Sequence, residues 1–114
     1  MESRAQLRYY RSSPRKVRLL ADMVRGKPVE PALTSLKLSS KYAAHDVAKV
    51  VKSALANLEL SQPGVDVDKV FIRTITVDDG PRLRRGRPAS KWVRMHRILK
   101  RMCHITVELA VRES

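Results

Sequence analysis

Cys103-His104-Ile105-Thr106-Val107-Glu108-Leu109-Ala110-Val111 sets the fold class of this chain. Its side chains alternate at the period of a β-strand, with Ile105, Val107, Leu109 and Val111 on one face and His104, Thr106, Glu108 and Ala110 on the other. Upstream, Val70 to Val77 is rich in β-branched residues and reads as a second strand, with Asp79-Gly80-Pro81 marking a break or bulge after it. These two strands are expected to pair as antiparallel neighbours. A third, weaker strand pattern covers Arg4 to Tyr10.

Between the first strand and the other two, the period changes from two to about 3.6. Ser13 is placed as an N-cap, Pro14 suits the first helical position and Gly26 supplies a stop. Within those limits Val17, Leu20, Ala21 and Val24 recur at helical spacing. A short second helix is predicted from Val29 to Leu38, where Pro28 and Pro31 are tolerated because they fall in or before the first turn. The longest helix is predicted over about Lys41 to Leu60, with Ala44, Val47, Ala48, Val51, Leu55 and Leu58 as its apolar stripe and Pro63-Gly64 as its stop. The expected class is α+β: three helices packed on a small antiparallel sheet, in one domain spanning 1–114.

The connection between the two later strands carries the charge. From Arg82 to Arg101 nine of twenty residues are basic and none is acidic, whereas the other ninety-four residues hold fifteen basic and eleven acidic side chains. The tract therefore supplies nine units of the net charge of +13. Such a segment attracts a polyphosphate, because each neutralised phosphate releases condensed counterions. If both flanking strands continue into it, residues 80–102 form an extended basic β-hairpin turning near Pro88-Ala89-Ser90. Each arm would reach roughly 30 Å beyond the sheet. Repulsion between like charges along both arms means that such a ribbon orders fully only against a polyanion; the alternative is a loop that folds on binding. Arg outnumbers Lys seven to two in the tract, which suits guanidinium clamps on phosphate pairs and stacking on bases. Trp92 is either a base-stacking side chain or a cross-strand contact of the ribbon. Arg15, Lys16 and Arg18 form a second candidate phosphate-binding patch at the start of the first helix, or else an ordinary solvated helix face.

Other functional classes fit less well. One cysteine excludes an intramolecular disulfide and suits a reducing compartment. No run approaches the roughly 18 apolar residues of a membrane span, and Met1 to Tyr10 is too polar for a secretory signal. A membrane-active cationic segment would need an apolar face to match the charge. Cys103 and His104 are strand neighbours pointing to opposite faces, so they cannot act as nucleophile and base. His45 and His96 have no partner at ligand spacing, Asp78-Asp79 suits a turn with local charge pairing, and Asp66 and Asp68 flank a loop. Neither catalytic residues, a metal nor a cofactor is expected.

Four blocks resemble one family. Ser13-Pro14-Arg15-Lys16-Val17-Arg18-Leu19, with Ala21-Asp22 and Arg25-Gly26-Lys27, is similar to the opening helix of the large-subunit ribosomal protein twenty-two family. Val47-Ala48-Lys49-Val50 with Ser53-Ala54 and Ala56-Asn57 resembles its long helix. Val77-Asp78-Asp79-Gly80-Pro81, and Lys100-Arg101 with His104-Ile105-Thr106-Val107, resemble the two ends of its hairpin. The resemblance implies a structural constituent of the large ribosomal subunit that binds its rRNA and assists assembly. By that analogy Arg82, Arg84, Arg85, Arg87, Lys91, Arg94, Arg97, Lys100 and Arg101 contact rRNA. The tip, Arg87, Pro88, Ala89, Ser90, Lys91 and Trp92, lines the peptide exit tunnel near the nascent polypeptide. The tip departs from the family pattern by one apparent extra residue and a missing second glycine. Implied partners are large-subunit rRNA, neighbouring ribosomal proteins and the nascent chain, without a membrane or a homo-oligomer. The implied location is the cytoplasmic ribosome, or an organellar one. The competing reading is a non-ribosomal architectural protein that uses a basic β-arm on nucleic acid, normally as a dimer.

Overall fold

The structure, a computed structural model, describes residues 2–81, 83–87 and 96–112. In chain order they form β1 (Glu2–Tyr10), α1 (Pro14–Val24), α2 (Val29–Leu38), α3 (Ala44–Ser61), a short 3-10 turn (Val67–Lys69), β2 (Val70–Asp79), β3 (Leu83–Arg87), β4 (His96–Lys100) and β5 (Cys103–Val111). The class is α+β: three helices and a small antiparallel sheet.

β5 is the central strand, in the order β1-β5-β2, and both neighbours run antiparallel to it. Both of its faces are largely covered. Ile105, Val107 and Leu109 are fully buried, and on the opposite face Thr106 and Ala110 are buried as well. The expected polar face is therefore only partly solvated, with Gln6 of β1 donating to the Thr106 hydroxyl at 3.3 Å. β1 was hard to read because its inward side chains are small: Ser3 and Ala5 are buried, and the Ser3 hydroxyl donates to the Ala54 carbonyl of α3 at 2.8 Å. A bulge ends its regular pairing between Leu7 and Tyr10, and Tyr9 adopts a left-handed φ of 56° there.

The helices bury one contiguous core against the sheet. Val17, Leu20, Ala21 and Val24 of α1, Val29, Ala32 and Leu36 of α2, and Val47, Val51, Ala54 and Leu58 of α3 join Ile72, Ile75, Ile105, Val107 and Leu109. Each large aliphatic side chain among them contributes roughly 1.5–3 kcal/mol. In α3 the buried set includes Val50 and Ala54, while Ala48 and Leu55 are half-buried. The buried face is wider than the predicted stripe because α3 packs against α2 on one side and against β1 and β5 on another. α3 also starts three residues later than expected. Lys41 to Ala43 form a turn, closed by the Ala44 amide donating to the Lys41 carbonyl at 3.2 Å.

α1 begins as the Ser13-Pro14 pair predicts, although the Ser13 side chain makes no cap hydrogen bond. It ends where Gly26 adopts φ +79°, a conformation that a side chain would strain. The Gly26 amide then donates to the Ile72 carbonyl at 3.0 Å, and the Ile72 amide to the Lys27 carbonyl at 2.9 Å, stitching the helix exit to the outer edge of β2.

Candidate nucleic-acid interface

The basic tract is not a simple continuation of the main sheet. β3 and β4 pair antiparallel in a separate two-stranded sheet, with Leu83 opposite Lys100, Arg84 opposite Leu99, Arg85 opposite Ile98, Gly86 opposite Arg97 and Arg87 opposite His96. At the root, Asp79 faces Cys103, so three residues, 80–82, stand against two, 101–102. Pro81, within that stretch, has no amide to offer to a ladder. Gly80 seals the joint. Its amide donates to the Met102 carbonyl at 2.9 Å, and an added Cβ would lie 3.2 Å from the Met102 backbone. A further one-residue shift between Ile72 and Thr74 bends β2 earlier along its length.

Of the tract residues expected on RNA, Arg84, Arg85, Arg87, Arg97 and Lys100 hold the ladder positions just given, and Arg101 is exposed at the root. Arg82, Lys91 and Arg94 lie outside the described residues. So do Pro88, Ala89, Ser90 and Trp92, and with them the expected turn. Eight residues, 88–95, join Arg87 to His96, and the midpoint of that connection in sequence is Lys91–Trp92.

The second patch divides. Arg15 and Lys16 are exposed on the first turn of α1, which carries no acidic residue. Arg18 instead reaches across to the sheet. Its Nε and Nη2 donate to the Val77 carbonyl at 3.2 and 3.0 Å, and Asp79 lies 3.9 Å away. Seven residues on, Arg25 Nη2 donates to the Ile75 carbonyl at 2.9 Å while its Nη1 pairs with Asp22. Arg18 of α1 and Arg25, just past its end, thus occupy alternate carbonyls on the outer edge of β2, next to the hairpin root. Capping an edge this way blocks strand addition and holds the strand from which the hairpin departs.

The fold also gathers around Lys16 and beside it cations that the sequence does not group with it. Lys16 is brought together with Lys41 and Tyr42 around a groove that Ser12, Leu20 and Ala43 complete. A neighbouring groove between α2 and α3 is lined by Lys37, Lys41, His45 and Lys52. No local signal marks these residues as a group; they meet because α2 and α3 pack side by side and the turn before α3 faces the start of α1.

Chemistry at the remaining candidates is structural. Cys103 is fully buried beneath the root, and burial pushes its thiol up, with Arg18 acting in the opposite direction. His104 lies on the other face of β5, where Nδ1 accepts from the Tyr9 amide at 3.0 Å and the rings meet edge to face at 4.9 Å. Tyr10 donates to Asp46 at 2.5 Å; burial first, and then that bond, hold its hydroxyl far above the ordinary phenol range. Asp78 and Asp79 end strand β2 rather than forming a turn, and the Asp66 carboxylate caps the 3-10 turn by accepting from the Asp68 amide at 3.0 Å. Among known protein families, the model described as ribosomal protein L22p/L17e matches residues 5–110.

Proposed function

This chain belongs to the ribosomal protein L22p/L17e family, structural proteins of the large ribosomal subunit, and on that premise we propose that it grips large-subunit rRNA through the β3–β4 ribbon. The observation that carries this reading is the separation of the charged tract from the main sheet. The tract between Arg82 and Arg101 is basic and free of acidic residues, and its paired strands form a sheet of their own. Phosphates lining an rRNA cleft would relieve the repulsion between the two arms and release counterions. Binding of this kind positions a protein along the backbone without reading base edges.

Further parts of the reading extend from the same premise. The ribbon enters the rRNA during assembly of the subunit, and its tip, Arg87 to Trp92, reaches the wall of the peptide exit tunnel beside the nascent chain. Arg15 and Lys16 add a second phosphate contact on the globular part, which also touches neighbouring ribosomal proteins. Arg18 serves it from behind, by holding β2 at the root. One copy acts per subunit, in a cytoplasmic or organellar ribosome, and the protein carries out no catalysis.

The test is a salt titration of binding to purified large-subunit rRNA. Replacing Arg84, Arg85 and Arg87 together with Ala is expected to flatten the log–log slope by about two to three units, at roughly 0.7–0.9 per lost phosphate contact. The thermal transition should stay where it is, since β3 and β4 pair in a sheet separate from β1-β5-β2. An unchanged slope would remove the ribbon from the interface.

A further inference from the structure

We propose that Tyr42 is a stacking platform for one unpaired RNA base, with the flanking phosphates held by Lys16 and Lys41. The inference rests on the rRNA-binding reading above and adds to it a specific nucleotide site on the globular domain, far along the chain from the hairpin.

Tyr42 is 91% exposed, more than any other large apolar or aromatic side chain described. An aromatic ring left in water is unremarkable alone, but this one lines a groove. Ser12, Lys16, Leu20, Lys41, Tyr42 and Ala43 line a space of about 530 Å³, within the range of small-ligand sites. Leu20 and Ala43 form an apolar floor, at 1% and 6% exposure. The two ammonium groups come from different elements, Lys16 from α1 and Lys41 from the turn before α3. Among the described residues no carboxylate lines the groove. The nearest acidic residue along α3, Asp46, lines a different groove, with Lys49 and Val50, and accepts from Tyr10.

The platform has a fixed backbone. The Lys41 amide donates to the Ser39 hydroxyl at 3.3 Å, and the Lys41 carbonyl accepts from Ala44 at 3.2 Å. Tyr42 is therefore presented by a closed turn rather than by a helix face, where its ring would lie down on the preceding turn. An exposed π-face in a groove that two lysines from different elements also line is complementary to a base with flanking phosphates. It also requires an unpaired base, because a paired one hides its faces in the stack. A protein segment of acidic character would match the lysines but would not need the exposed ring.

Full-length Tyr42→Ala, Tyr42→Phe and Lys16→Ala/Lys41→Ala variants would be titrated with purified large-subunit rRNA across a salt series. Tyr42→Ala is expected to weaken binding on the order of tenfold at every salt concentration, with the slope unchanged. Tyr42→Phe should bind as the parent does. The double lysine variant should flatten the slope by about one and a half units. Wild-type binding by Tyr42→Ala, or equal weakening by Tyr42→Phe, would overturn the proposal. So would a Tyr42→Ala variant that binds free rRNA normally yet fails to sediment with large subunits, which would assign the groove to a protein neighbour. The Arg84/Arg85/Arg87 variant, run alongside, separates the two failures. If only the Tyr42 site is silent, this inference falls; if the ribbon is silent as well, the rRNA-binding reading falls with it.

Discussion

Replacing Arg18 with Ala is expected to cost stability and leave the salt dependence of RNA binding intact, although Arg18 sits among cations that look equivalent in the sequence. The guanidinium donates twice to one carbonyl, Val77, at 3.2 and 3.0 Å. A hydrogen bond from a charged donor contributes about 1.5–3 kcal/mol when buried. The Arg18 side chain is half exposed, so water can partly replace it at the edge of β2, and about 1 kcal/mol is the appropriate figure. Asp79, at 3.9 Å and two-thirds exposed, adds at most a few tenths of a kcal/mol. For a domain of this size, 1 kcal/mol lowers Tm by about 4 °C. The assay pairs thermal denaturation with the rRNA salt titration, for Arg18→Ala, Lys16→Ala and Arg18→Lys. Arg18→Ala should unfold about 4 °C early with the parental slope, Lys16→Ala the reverse, and Arg18→Lys in between on stability because an ammonium cannot fork onto the carbonyl. If Arg18→Ala melts with the parent and loses roughly one phosphate contact of slope, Arg18 is an RNA ligand and the edge-capping argument is wrong.

Two further outcomes follow from the joints of the fold. Gly80→Ala is expected to destabilise by about 1 kcal/mol in urea denaturation: the added methyl meets the Met102 backbone at 3.2 Å, and overpacking of this kind costs about 1–3 kcal/mol against a chain-entropy gain of about 0.4–1. An unchanged or higher midpoint would mean that the hairpin root yields freely. Tyr10 supplies a pH test. Its folded-state pKa is raised above the ordinary value of 10, so its contribution is complete below about pH 10 and is lost as pH rises beyond that, where the unfolded chain gives up the proton and the folded chain does not. The stability advantage of the parent over Tyr10→Phe should therefore hold up to about pH 10 and shrink steadily as pH is raised above it; a constant difference would show that burial and Asp46 do not hold the proton.

Local pattern was enough for most of the architecture. The Val29–Leu38 helix and the Cys103–Val111 strand have the limits their residues imply, since proline placement in one and strict alternation in the other depend only on near neighbours. The start of α3 was misplaced because Lys41 to Ala43 have helix-compatible residues but no capping side chain to mark where the turn gives way to the helix. Val50 and Ala54 were missed as core because a single stripe describes a helix with one packed face, and α3 has two. The register at the hairpin root depends on two strands, β2 and β5, that meet only after twenty-three residues of intervening chain, 80–102.

By itself, then, the sequence determined the α+β class, the helices and strands, and the concentration of positive charge in one inter-strand tract, because periodicity and composition are properties of contiguous residues. What each cation does was decided by the tertiary structure. Arg15, Lys16 and Arg18 lie within four positions of one another, yet two face solvent and the third is spent on a carbonyl fifty-nine residues away. Tyr42 became notable only when the fold set Lys16 beside it. A side chain's hydrogen bonds and exposure depend on what packs opposite it, and that is a long-range property no local pattern encodes.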